Sequence, residues 1–104
     1  MKKEIFEMYA NAIAKQFHLE LDQMLSKDRR RDLVDARQML YYLCMERPIR
    51  VAYIQRFLAE CDYEVQHSTI IQGYKKAKKL IESDPDYLKV VNEIKKNDAD
   101  SIQS

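Results

Sequence analysis

Hydrophobic positions recur every three or four residues along most of the chain, the period of amphipathic helices. Over Lys2 to Phe17, Ile5, Tyr9, Ile13 and Phe17 fall four apart, with Phe6 and Ala10 widening the stripe. His18 follows the last apolar position and reads as a surface or capping histidine without a further role. A short second element spans Leu19 to Leu25. The apolar pattern then stops over Ser26 to Asp32, which reads as an exposed loop with Asp32 as a helix N-cap. Leu33 to Met45 is the most apolar stretch, with Leu33, Ala36, Leu40, Leu43 and Cys44 on one stripe, and it predicts a central buried helix. Arg47-Pro48-Ile49 ends it, because proline cannot continue the ladder and restrains the residue before it. Arg50 to Cys61 turns Val51, Ile54 and Leu58 inward. After a turn over Asp62 to Val65, a helix over 66–82 places Ile70, Tyr74, Ala77 and Ile81 on its inner face. Helix, turn and helix over 50–82 form a helix-turn-helix unit. Asp84-Pro85-Asp86 breaks the chain and opens a last helix, with Tyr87, Val91 and Ile94 inward. From Asn97 the residues are mostly polar and predict a flexible tail.

With 104 residues, the chain has room for one modest core and not for two. One glycine and two prolines, and no run alternating apolar with polar residues, point to helices joined by short turns. The expected fold is all-α: a bundle of about five to six helices containing a helix-turn-helix. Residues 1–96 form the single domain and 97–104 the tail.

Net charge is only +1, so the bulk balance says little about nucleic acid. Its distribution says more. Residues 66–81 carry four lysines and no acid, and residues 27–37 carry five basic residues against three aspartates. Two such patches are the local footprint expected of a DNA-binding surface. Cys44 and Cys61 show no Cys-x-x-Cys spacing, and His18 and His67 do not pair with them at short range. No metal site or cofactor is expected. A cytoplasmic location with reduced thiols is the default for a chain without a signal peptide or a long apolar run. No nucleophile, base or carboxylate pair stands out, so catalysis is not expected.

The outer face of the 66–82 helix carries Ser68, Thr69, Gln72, Lys75, Lys76 and Lys79. Short polar groups sit at its start and lysines further on. In a helix-turn-helix, the first turn reads base edges and later basic residues hold phosphates. A solvated amphipathic helix, with lysines near the negative end of its dipole, would look the same. Likewise Lys27, Arg29, Arg30 and Arg31 form either idle surface charge or an arm that reaches phosphates or a narrow minor groove.

The order of these parts resembles the C-terminal DNA-binding domain of the bacterial replication initiator DnaA. The resemblance runs from about Ile5 to Ile81. It is carried by Met24-Leu25-Ser26-Lys27, the arginine loop, Ala36-Arg37-Gln38-Met39 and His67-Ser68-Thr69-Ile70. In the family these read as a short helix ending in Leu-Ser-Lys-like residues, a basic loop, Pro-Arg-Gln and Asp-His-Thr-Thr-Val. The resemblance implies that Arg29 enters the minor groove and that Arg37 and Gln38 touch the DNA backbone. It also implies that His67, Ser68 and Thr69 meet thymine methyls, base edges and phosphates in the major groove, with Lys75 and Lys76 as basic residues further along.

The chain departs from the family pattern at several places. Gln66 replaces an aspartate that accepts from cytosine, and glutamine prefers adenine. Val65 and Asp35 stand where the family has arginine, and the turn lacks a Gly-Gly and is longer. These 104 residues contain no Gly-x-x-x-x-Gly-Lys-Ser/Thr, so nucleotide-driven oligomerisation is not expected of this chain by itself. The expected function is sequence-preferring binding of double-stranded DNA, in replication initiation or transcription regulation. The alternative is a helical protein-interaction module that has lost DNA reading, a decoy or regulator of an initiator, with Tyr41, Tyr42, Tyr53 and Tyr63 as its contact surface. The partners are then double-stranded DNA and another replication or regulatory protein, with no membrane. A monomer is the default, since no spare apolar stripe asks for a partner.

Overall fold

The helical periods become six helices in a computed structural model that describes residues 2–103, with side chains to Asp98. They are α1 (Lys2–Gln16), α2 (Leu21–Met24), α3 (Arg31–Glu46), α4 (Val51–Glu60), α5 (His67–Ser83) and α6 (Pro85–Gln103). No strand occurs among the described residues.

Two helices stop in the same way without a glycine. His18 after α1 and Asp62 after α4 adopt left-handed backbone, with φ of 56° and 61°. The next amide then reaches back to the last turn: Leu19 N donates to Ala14 O at 2.8 Å, and Tyr63 N donates to Leu58 O at 3.0 Å. This closure satisfies helix-end carbonyls that would otherwise lack a partner. His18 is therefore the residue that ends α1, in keeping with a capping role.

α3 touches all five other helices, as its long apolar pattern predicts. Met39, Leu40, Leu43 and Cys44 are fully buried against Ile13, Ile54, Leu58, Ile70 and Val91 from the surrounding helices. The closest approach is between α3 and α5. A Cβ added at Gly73 would lie 2.6 Å from Cδ2 of the buried Tyr41 ring, so only glycine fits there. Tyr74 differs from its expected place on the inner stripe. It is half-buried on the flank of α5, where its ring stacks on Tyr42 at 5.6 Å and its hydroxyl donates to Glu46 at 2.7 Å.

α6 closes the other side of the bundle. Tyr87 stacks on Phe17 with ring centroids 6.1 Å apart and donates to Asp35 at 3.0 Å. The flexible tail expected from Asn97 is helical here, since α6 runs on to Gln103. Asp98 is buried, accepts from the Tyr9 hydroxyl at 2.6 Å and lies 3.1 Å from Nε of Arg47. That Nε is off the line of a hydrogen bond, so the contact with Arg47 is ionic. A lone aspartate in a polar run looks like tail; its partners, on α1 and just past α3, lie far off in sequence. The side chains of the remaining expected tail, 99–104, lie outside the described residues.

Candidate nucleic-acid interface

The position of α5, the second helix of the helix-turn-helix, is set by the turn before it. With no Gly-Gly in that turn, Asp62 supplies the left-handed residue, a conformation that aspartate tolerates better than most side chains do. Gln55 of α4 then donates from Nε2 to Val65 O at 2.8 Å and fixes the chain as it enters α5. Gln66 is the N-cap residue in extended backbone, and its side chain makes no capping bond. The amide group of Gln66 and the side chains of His67, Ser68 and Thr69 are all exposed at the positive end of the helix. Gln72, Lys75 and Lys76 continue this exposed face, and Ile70, Gly73, Ala77 and Ile81 are buried behind it.

Beside this helix lies the arginine loop, and Arg37 builds it. Arg37 was expected to touch the DNA backbone, yet it is 7% exposed and its guanidinium faces inward. One terminal nitrogen donates to Met24 O at 3.0 Å and Ser26 O at 2.8 Å, and the other donates to Asp28 O at 2.8 Å. A buried guanidinium needs its donors satisfied, and three loop carbonyls meet that need. Arg37 therefore holds the loop instead of presenting itself to a phosphate. Its neighbour Gln38 remains half-buried beside Gly73 and lines, with Thr69 and Tyr63, a pocket of about 120 Å³.

The loop is also tied to the turn of the helix-turn-helix. The Tyr63 ring carries Arg37 on its face at 5.5 Å and Lys27 at 4.5 Å, and the Lys27 ammonium donates to Glu64 O. Tyr63 thus fastens the first basic patch to the turn from which the second, on α5, begins. It belongs to no apolar stripe, and only its aromatic character in a polar turn hints at this position.

The three arginines are in different states: Arg29 lies in the loop, Arg30 is the N-cap residue of α3 in place of the expected Asp32, and Arg31 is the first residue of that helix. Arg30 forms a two-pronged pair with Asp32, at 3.2 and 2.9 Å. Its guanidinium holds the Asp32 carboxyl below the usual carboxylate range. Arg31 lies 3.7 Å from Asp35 and is otherwise open to solvent. Arg29 is exposed and makes no hydrogen bond or ion pair among the described residues. Asp35, which stands where the family has arginine, is buried against Tyr87 and does not confront a ligand as a bare surface acid.

A family model described as the bacterial dnaA protein helix-turn-helix matches residues 7–77. The chain belongs to that family. The matched segment of this DnaA-type domain takes in the arginine loop, all of α4, the turn and most of α5, and it ends before α6. A relative, the chromosomal replication initiator protein DnaA of Citrifermentans bemidjiense, is 31% identical over 90 residues. Those residues are 86% of this chain and 19% of that protein, so the chain spans only a small part of its relative's length. No solved structure matches the chain. Among the described residues no helix is long and apolar enough to cross a membrane, and no group of histidine, cysteine or acidic residues could hold a metal ion.

Proposed function

We propose that this DnaA-type domain binds double-stranded DNA with a sequence preference, serving replication initiation or transcription regulation as a chain that reads DNA on its own. The observation that carries the reading is the tie through Tyr63. It ties Lys27 and Arg37, which flank and brace the arginine loop, to the turn that leads into α5, and this supports a single basic surface made of both elements. In this reading α5 enters the major groove with Gln66, His67, Ser68 and Thr69 at base edges and phosphates. Arg29 reaches the adjacent minor groove. Gln72, Lys75 and Lys76 run along the backbone, with Lys27, Arg30, Arg31 and Gln38 at the rim. Arg37 acts through the loop it positions.

The surface of an interaction module finds less support. Tyr41 and Tyr63 are buried, and Tyr42 is half-buried under Tyr74. Tyr53 is exposed, with the Lys2 ammonium 4.4 Å above its ring. These four tyrosines therefore do not form an open aromatic face.

Fluorescence anisotropy with a randomised duplex pool, at about 50 and 200 mM salt, tests the proposal. Enrichment of one sequence is expected, with affinity falling on the order of a hundredfold between the two salts if about four phosphates are neutralised. Weak binding without enrichment would sink the reading and send the search to a protein partner.

A further inference from the structure

Ile71 is an apolar side chain on the outward face of α5, among polar and basic neighbours. Among the described residues three large hydrophobic side chains are exposed: Tyr53, Ile71 and Leu88. Tyr53 is covered in part by Lys2 and packs near Phe57. Leu88 lies on α6, outside the helix-turn-helix. Ile71 is 37% exposed in the second turn of α5 and is not among the residues packed against the core. It stands four residues after His67, three after Ser68 and four before Lys75, so helical periodicity places it beside the residues proposed to read DNA. The rise per residue puts it about 6 Å further along the helix than His67, less than two base-pair steps.

An isoleucine side chain has no hydrogen bond to offer a base edge or a phosphate. Within the major groove one group rewards it: the C5 methyl of thymine, which an apolar side chain can bury. We propose that Ile71 is a specificity-determining residue of this domain, packing against the methyl group of one thymine in the target site. The inference rests on the DNA-binding reading above and adds a base and a residue to it.

The test starts from the sequence enriched in the duplex selection. Each thymine is replaced in turn by deoxyuridine, which removes the methyl and nothing else, and affinity is measured for the wild-type chain and for Ile71→Ala. One thymine is expected to show a loss of about fourfold in the wild type, the value of one buried methyl group. That loss disappears in Ile71→Ala, while losses at every other thymine stay the same. A second selection with Ile71→Gln is expected to shift that single position from thymine to adenine. Alanine is the better helix former and the site is exposed, so both variants should fold, which far-ultraviolet circular dichroism would verify. Identical uracil penalties in the wild type and Ile71→Ala, or none at any thymine, would overturn the inference while leaving DNA binding intact. An absence of any enriched, salt-sensitive complex would overturn the DNA-binding reading itself, and Ile71 with it.

Discussion

The guanidinium of Arg37 donates to the carbonyl oxygen of Ser26 at 2.8 Å, across eleven positions of chain. This bond, with its companions to Met24 and Asp28, turns a charged residue into the scaffold of the basic loop. Charge inside a protein is costly unless its hydrogen bonds are met, and the loop carbonyls face the same demand in return. The arrangement makes the loop part of the fold.

Replacing Arg37 by alanine should therefore act on stability first. The loss is expected to be about 2–4 kcal/mol, since bonds to charged groups are lost and three carbonyls must find water instead. Arg37→Lys should recover only part of it, because an ammonium cannot fork between carbonyls as a guanidinium does. Urea denaturation measures both. The dependence of DNA affinity on salt separates this role from a phosphate contact. Its slope should stay unchanged in Arg37→Ala, measured where that variant is folded, whereas loss of a phosphate contact would reduce it by about 0.9.

Among the loop arginines, Arg29 should matter most for binding. Among the described residues it has no partner to give up, whereas Arg30 must leave or share Asp32. Arg29→Ala and Lys76→Ala are each expected to weaken binding to all sequences and to lower the salt slope by about one. Arg30→Ala should do less, and a larger effect for it would mean that the loop rearranges on DNA. His67→Ala, by contrast, should cost about 1–3 kcal/mol and relax one base position. Titrations of these variants across salt and across single-base changes distinguish the two kinds of loss.

Gly73→Ala sets two effects against each other. Alanine favours the helix by about 1 kcal/mol, but its Cβ would meet the Tyr41 ring at 2.6 Å. Overpacking of a tight core costs about 1–3 kcal/mol, and the buried Tyr41 ring could give way only by shifting within the small pocket it lines with Gln38 and Thr69. A net loss of stability is expected, seen as a lower thermal midpoint. A rise would show that α3 and α5 can separate at no cost.

Alkaline pH should destabilise the fold. Burial, then the bond to Asp98, raises the Tyr9 hydroxyl well above its ordinary value. Burial, then Tyr63, does the same to Tyr41. Burial, then Asp35, pushes Tyr87 up to about 12. Each group is protonated in the folded state at a pH where the unfolded chain has begun to release its proton. Their contribution is complete below the ordinary tyrosine pKa of about 10 and is lost as pH rises through the folded values. Buried Cys44, also raised by desolvation, adds the same sign from a lower onset. The urea midpoint should begin to fall at about pH 9 with Cys44 and fall more steeply from about pH 10 toward 12, and Tyr9→Phe should make that fall shallower. A flat profile would place these hydroxyls in water.

Much of this architecture is legible in the order of residues. Helical periodicity alone determines six elements, the buried place of α3, and the pairing of α4 with α5 as a helix-turn-helix. It also determines that Ser68, Thr69, Gln72, Lys75 and Lys76 face outward, because a 3.6-residue period that buries Ile70, Ala77 and Ile81 leaves them on the opposite side. Tertiary structure alone decided the fate of the charged residues. Arg37 and Gln38 are neighbours on one helix, yet Arg37 is enclosed by carbonyls from the preceding loop. Asp35 is matched to Tyr87 across 52 positions, and Asp98 to Tyr9 across 89. Periodicity records which face of a helix is apolar. Whether a charged side chain on that helix points to water or is buried depends on partners brought to it by the rest of the chain, and no local pattern carries that information.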